Sequence, residues 1–137
     1  MAVIKHIANK NSDYGESERY LIFQHNEYTQ KPILDEEGHM ILREEYYLDG
    51  LNCDPFSFAS ECQELNSYYH KNKNFNEIKS HHYIISFAPK DKDECGLTGE
   101  RAQQLGLTFA KKNFPGHRAL VCTHTDGHNE SGNIHVH

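Results

Sequence analysis

The C-terminal end of the chain constrains its fold most. The segment 119–124 reads Ala-Leu-Val-Cys-Thr-His, a β-rich run that delivers His124, and Ile-His-Val-His at 134–137 returns in an extended pattern after a polar, glycine-containing turn. Because residues i and i+2 of a strand point to the same face, His135 and His137 can project side by side. If this strand pairs with the one that ends at His124, three imidazoles converge on one point. The pattern therefore predicts a metal site.

Three neutral imidazoles leave open coordination positions, as in catalytic rather than structural metal sites. Nitrogen ligands favour zinc, copper or nickel over magnesium. Asp126 and Glu130 in the turn are candidates for orienting an imidazole N–H from behind, whereas His128 is expected to be exposed. Cys122 is a further soft ligand in principle, but we expect it to point into the core. The alternative is a set of solvated histidines that bind no metal.

Length and composition indicate the class of protein. At 137 residues, the chain is expected to form one domain, residues 1–137, with its own core. It has no apolar run of 18 residues and no signal-like N-terminus, so we expect a cytoplasmic protein that does not contact membranes. Four cysteines without a Cys-x-x-Cys pair predict reduced thiols. Twenty acidic against 14 basic residues, a net charge of −6, argue against a generally basic surface for nucleic acid.

Capping signals and hydrophobic spacing predict three helices. The first spans 16–24 and is capped by Ser12 or Asp13. The second spans 56–72, with Pro55 at its first helical position. The third begins after Thr98, ends at the Phe-Pro-Gly of 114–116, and is predicted to bury Ala102, Leu105 and Phe109.

The predicted strands alternate with these helices. The strongest strand, 82–87, is a nearly continuous apolar run of the kind buried on both faces, and 88–94 is read as the loop after it. Segment 27–50 reads as an insertion or flap with a hairpin around Glu37-Gly38. The order predicts an α+β fold with helices packed on a sheet. Because the chain stops on the second histidine of a strand, we expect a longer protein truncated at its C-terminus.

The chemistry of such a site requires a metal-activated water or a side-chain nucleophile. No serine or cysteine lies in an elbow motif, and no carboxylate pair stands out. Eight tyrosines are present, and their spacing does not choose among them.

Several segments resemble one family. His124 with His135-Val-His137 resembles the His-hydrophobe-His motif of HUH endonucleases. Gly-Glu-Ser-Glu-Arg-Tyr-Leu at 15–21 resembles the first motif of mobilisation relaxases of the MobA/VirD type. The segments from 82 to 117 are similar to the middle of these proteins, so the resemblance covers most of the chain outside 27–50.

This resemblance implies an antiparallel sheet of about five strands with the histidine pair on a central strand. It implies that Tyr20 is the nucleophile, and that His124, His135 and His137 bind a divalent ion, magnesium or manganese, with zinc possible from ligand softness. The implied activity is strand-specific nicking of single-stranded or hairpin DNA at an origin of transfer, through a 5′-phosphotyrosyl intermediate, in plasmid or transposon mobilisation. We expect a monomer that acts with accessory relaxosome proteins.

The candidate DNA contacts and the competing functions complete the expectations. The candidate contacts are Arg19, Lys111, Lys112 and Arg118. One alternative is a relaxase-like module that binds DNA without cutting it, and another is a zinc-dependent hydrolase that uses metal-bound water. A third is a histidine-rich metal-binding protein without a DNA partner. Tyr14 and Tyr28 remain alternatives to Tyr20 as nucleophile.

Overall fold

The computed structural model describes residues 2–26, 29, 31–43, 46–125 and 133–137. Within these residues, no helix is long and apolar enough to span a bilayer. The elements of the described chain are β1 (Ala2–Asn9), α1 (Tyr14–Ile22), β2 (Tyr46–Leu51), α2 (Phe58–Tyr69), β3 (Ser80–Phe87), α3 (Pro89–Asp93), α4 (Gly99–Asn113), β4 (Ala119–His124) and β5 (His135–Val136).

The strands form one sheet in the order β1-β3-β5-β4-β2. Every neighbouring pair is antiparallel. The longest pairing, between β1 and β3, joins residues 2–9 to residues 80–87. The sheet confirms the predicted α+β fold and places β5, the strand with the two histidines, at its centre.

The side chains of the central strands alternate between two covered faces. Val121, Ile134 and Val136 point to the α4 side and are each no more than 4% exposed. There they form the hydrophobic core with Ile85, Ala102 and Ala110. On the opposite side, α1 covers β4, and Leu21 is buried there. Helix α1 in turn packs on α2, where Asn66 Nδ2 donates to Tyr14 Oη over 2.7 Å.

A buried polar network fixes β4 against α4. Thr123 Oγ1 donates to Gln103 Oε1 over 2.7 Å, and Gln103 Nε2 donates to the carbonyl of Val121 and to Asp49 Oδ2. Buried polar groups are costly unless they are paired, and these are paired. The network therefore joins α4, β4 and β2 and determines which face of β4 carries His124.

Helix α4 contacts the sheet most closely through its smallest residues, which differs in part from the predicted face, although Phe109 packs against the core as predicted. Ala102 is buried as predicted, but Leu105 is 37% exposed, and Gly106 and Ala110 lie against the sheet instead. A Cβ atom on Gly106 would lie 2.6 Å from a methyl carbon of Val136 and 3.0 Å from one of Val121. The missing side chain at 106 thus lets the helix approach β4 and β5 closely.

Four other local predictions need correction. The first helix is Tyr14–Ile22, because Asp13 caps it by accepting from the backbone N–H of Gly15. The second begins at Phe58 rather than 56, because Asp54 first forms a turn with the backbone N–H of residue 56. Segment 89–93 is a short helix rather than a loop. Strand β3 is not buried on both faces, since Ile85 is its one buried residue and residues 81 and 86 are exposed.

Residues 31–43 form the predicted hairpin. Leu34 pairs with Met40, and the backbone N–H of Asp35 donates to the carbonyl of His39. Bridges from Phe23 to Leu42 and from residue 25 to residue 32 attach the hairpin to the chain that leaves α1. The hairpin therefore brings Arg43 to the end of α1.

We expect Gly106→Ala to destabilise the protein, although alanine is the better helix former by about 1 kcal/mol. A clash at 2.6 Å requires α4 or Val136 to move, and overpacking of this kind costs about 1–3 kcal/mol. Chemical denaturation measures the change. Gln104→Ala, at an exposed position of the same helix, is the matched control. Equal stability of the two variants would contradict the close packing.

Candidate active site

The register of the two central strands brings the three predicted histidines together. His124 lies directly opposite His135. His137 lies opposite Cys122, with backbone hydrogen bonds of 2.7 and 2.8 Å in both directions. One ligand nitrogen from each of the three histidines falls within 4.8 Å of the other two. They form the candidate metal group of the described chain, and Cys122 is not a member of it.

Backbone carbonyls orient two of these imidazoles. His124 Nε2 lies 2.8 Å from the carbonyl oxygen of Leu21, and His135 Nδ1 lies 3.3 Å from that of Asn133. A carbonyl only accepts, so the ring nitrogen must donate in both cases. In the neutral ring, the lone pair is then on Nδ1 of His124 and on Nε2 of His135. Each ring thus keeps one nitrogen suited to binding a cation.

The third imidazole, His137, is buried among other nitrogen groups. Its Nδ1 lies 2.9 Å from His82 Nε2, and its Nε2 is buried without a hydrogen-bond partner. Burial lowers the pKa of His137 well below its usual value, and the neighbouring His124, His135, His82 and Arg43 lower it further. Burial, and then the charge of Lys5, lower the pKa of His82 as well.

These features fit a bound cation. Metal binding requires neutral imidazoles, and the lowered pKa of His137 keeps it neutral. A buried ring nitrogen without a partner, such as His137 Nε2, is costly unless a ligand satisfies it. The donor set is three nitrogens that lie together, which leaves coordination positions for a substrate.

Tyr20 packs directly against this group. It lies on α1, and its ring centroid is 5.6 Å from that of His137, 6.5 Å from that of His124 and 5.3 Å from that of His25. The carbonyl that accepts from His124 belongs to Leu21, the next residue. The end of α1 is therefore attached to the histidine group by a hydrogen bond adjacent to Tyr20.

Two residues of this site, Arg43 and His82, were not predicted from the sequence. Arg43 donates from Nη2 and Nε to the backbone carbonyl of Tyr20 over 3.0 and 3.3 Å, and its guanidinium carbon lies 5.5 Å from the Tyr20 ring centroid. His82 contacts His137 across the sheet. Arg43 carried no motif, and His82 read as the first residue of an apolar strand. Only the alternation of β3, which puts 82, 84 and 86 on one face, was a signal for His82.

The structure does not bring the candidate DNA contacts together with the histidines. Arg19 forms a 2.6 Å ion pair with Asp13 on the outer side of α1. Lys111 and Lys112 are exposed in the last turn of α4, on the opposite side of the sheet. Arg118 Nε lies 3.7 Å from Glu61.

Some predicted residues have no described position. Asp126, His128 and Glu130 of the turn, and Tyr28, lie outside the described residues. Tyr14 is described, and it lies in the interface between α1 and α2, where its hydroxyl donates to the carbonyl of Lys79 over 3.3 Å.

Comparison with known proteins identifies the family of the chain. The family model for the MobA/VirD2-like relaxase nuclease domain matches residues 28–137. Two proteins of Staphylococcus aureus, each named Protein rlx, are 38% and 34% identical to the chain over 77 residues. That segment is 56% of this chain and 22% of each relative, so the match covers under a quarter of their length. No solved structure matches the chain.

The matched region includes the three histidines, His82 and Arg43, whereas Tyr20 lies upstream of it. Because the match covers more than half of the chain, it shows the family directly. The chain belongs to the MobA/VirD2-like relaxases and carries their nuclease domain.

Proposed function

We propose that the chain nicks single-stranded DNA at an origin of transfer, with Tyr20 as the nucleophile. The observation that supports this most is the packing of Tyr20 against the histidine group, 5.6 Å from His137 between ring centroids. The tyrosine reaches this place although it is more than a hundred residues away in sequence. A nucleophile and a cation site are thus adjacent, as a covalent transesterification requires.

His124, His135 and His137 are the proposed metal ligands, for magnesium or manganese, with zinc as the alternative that nitrogen ligands favour. When bound, the ion supplies positive charge to the non-bridging oxygens of the scissile phosphate. The chain itself turns one nitrogen of each ring toward a common point, and burial lowers the pKa of His137 well below its usual value, which keeps that ring neutral. The Nε2 atom of His137 is itself buried.

The proposed reaction is a balanced exchange of phosphodiester bonds. Tyr20 Oη forms a bond to phosphorus, and the bond from phosphorus to the 3′ oxygen breaks. The phenol loses its proton, and the departing 3′ oxygen takes one up. The products are a 5′-phosphotyrosyl ester and a free 3′-hydroxyl, so the reverse reaction can rejoin the strand during plasmid or transposon mobilisation.

Arg43 is proposed to support this step through two contacts with Tyr20, one with its backbone carbonyl and one with its ring. Its donors hold the backbone carbonyl at the end of α1, and its charge lies over the ring. The charge is also close enough to His137 to lower the pKa of that imidazole. A guanidinium at this place would attract the phosphate and keep the nucleophile in position.

The basic residues that lie away from the three histidines are proposed to bind the DNA on either side of the cut. Arg19 directly precedes the nucleophile, and Arg118 lies beside Glu61. Lys111 and Lys112 would contact DNA only where the strand passes around the sheet. The proposed substrate is a single strand or hairpin, and the proposed setting is a monomer working with accessory relaxosome proteins.

Removal of one imidazole is expected to abolish metal binding. The unaltered chain should bind one Mn²⁺, and an ion at 100 times its dissociation constant should add about 2.7 kcal/mol to the free energy of unfolding. Equilibrium dialysis and thermal unfolding should show both effects lost in His135→Ala. His6→Ala, which removes an exposed imidazole that contacts His81, should leave them unchanged. Equal Mn²⁺ binding by His135→Ala would contradict the site.

Tyr20→Phe is expected to abolish the covalent protein–DNA adduct, because phenylalanine keeps the ring packing and removes the nucleophilic oxygen. The assay is a denaturing gel with single-stranded oligonucleotides, tiled across the DNA that flanks the gene, and Mn²⁺. Tyr14→Phe on the same helix is the control and should still form the adduct.

Each other outcome identifies a different function. An adduct in Tyr20→Phe moves the nucleophile to another tyrosine. Tight oligonucleotide binding without an adduct, in the full-length protein as well, favours the non-cleaving module. Cleavage without an adduct favours hydrolysis by metal-bound water.

Arg43→Gln is expected to slow adduct formation by about 100-fold, the cost of losing one group that stabilises developing charge. Mn²⁺ affinity should be retained, because Arg43 is not a ligand. Rapid-quench kinetics with a saturating oligonucleotide separates the chemical step from DNA binding. Arg101→Gln removes an exposed arginine of α4 and should leave the rate unchanged. An Arg43→Gln rate equal to that of the unaltered chain would refute the assignment.

A further inference from the structure

His82 lies behind His137, the candidate ligand whose Nε2 is buried without a hydrogen-bond partner. It lies on β3, next to the central strand, and its Nε2 is 2.9 Å from Nδ1 of His137. The two ring centroids are 5.1 Å apart. The contact joins two strands, and His82 itself is not a member of the three-histidine group. Its place is therefore that of a residue acting on a ligand rather than on the metal.

The direction of this hydrogen bond follows from the other nitrogen of His137. At 2.9 Å, one proton lies between His82 Nε2 and His137 Nδ1. If His82 donated that proton, neutral His137 would carry its hydrogen on Nε2, which is buried without a partner. An unsatisfied buried donor costs about 1–3 kcal/mol. The opposite arrangement places a lone pair on Nε2, and a lone pair is what a cation binds.

We propose that His82 is the positioning residue of the metal site, which accepts the Nδ1–H of His137 and so directs the Nε2 lone pair toward the metal. This inference rests on the proposed metal site. His82 does for His137 what backbone carbonyls do for the other two rings, at Leu21 and Asn133. It is the one of these three acceptors that is a side chain, so substitution can remove it.

The choice of acceptor has a chemical consequence. A carboxylate behind a ligating imidazole raises the basicity of the ligand, and loss of such a partner typically costs 10–100-fold in metal affinity. A neutral imidazole orients the ring but adds no negative charge. The site should therefore bind its ion less tightly than the same site with glutamate at position 82, and that difference is measurable.

The neighbouring residue supplies a matched control. His81 also contacts a histidine at 2.9 Å, since its Nδ1 faces Nε2 of His6. That pair is exposed and joins β1 to β3 on the other face of the sheet. Substitutions at 81 and 82 thus disturb the same kind of contact in the same strand, and only one of them faces His137.

The test is the affinity of the full chain for Mn²⁺, measured by titration calorimetry, with thermal unfolding of the metal-free protein as the check on folding. His82→Leu should weaken binding 10–100-fold. His82→Gln, whose amide oxygen can accept the same hydrogen, should restore most of the affinity. His82→Glu should bind more tightly than the unaltered chain, and His81→Leu should bind as the unaltered chain does.

Two results would overturn the proposal. One is unchanged affinity in His82→Leu. The other is equal weakening in His82→Leu and His82→Gln, because the residue would then act through packing alone. The outcome is separate from that of the proposed nicking activity. Affinity that follows the acceptor at 82, without any DNA adduct, supports His82 and contradicts the nuclease. A DNA adduct together with an Mn²⁺ affinity that does not depend on residue 82 would support the nuclease and contradict the role of His82.

Discussion

The site depends on one constraint, the alternation of side chains along β5. Val136 is 2% exposed and packs against Gly106 of α4, so the residues on either side of it must point to the other face. Those residues are His135 and His137. Burial of Val136 on one side of the sheet therefore places the two imidazoles on the other side. A shift of one residue in the register of β5 would exchange the two faces.

Local signals allowed the elements of the fold to be predicted. Thr98 accepts the backbone N–H of residue 101, and the helix ends at 113, as the flanking residues indicate. The buried face of that helix was predicted in part, since Ala102 is buried but Leu105 is exposed. Gly106 was missed because a hydrophobic stripe marks large residues, whereas a helix in close contact with a sheet uses its smallest ones. The start of α2 was also missed, because Asp54 first forms a turn that propensity does not reveal.

The histidine group was predictable because its geometry is local. Two ligands lie two positions apart on one strand, with Val136 between them, and the third ends the strand before. Arg43 and His82 were not predictable, because neither has a sequence relation to the residue it contacts. Arg43 meets Tyr20 because a hairpin folds back on α1, and His82 meets His137 because β3 and β5 are neighbours despite the elements between them. Tertiary pairing alone creates these contacts.

The strand that comes last in the sequence, β5, occupies the centre of the sheet. This strand follows β1 to β4 in sequence but lies between β3 and β4. Without this strand, the sheet would divide into two ribbons, β1-β3 and β4-β2, each with an inner edge of unpaired backbone groups. Two of the three imidazoles belong to the segment of β5, and β4 supplies the third, His124. An ion bound by these rings would therefore add a link between β4 and the segment of β5 to their backbone pairing.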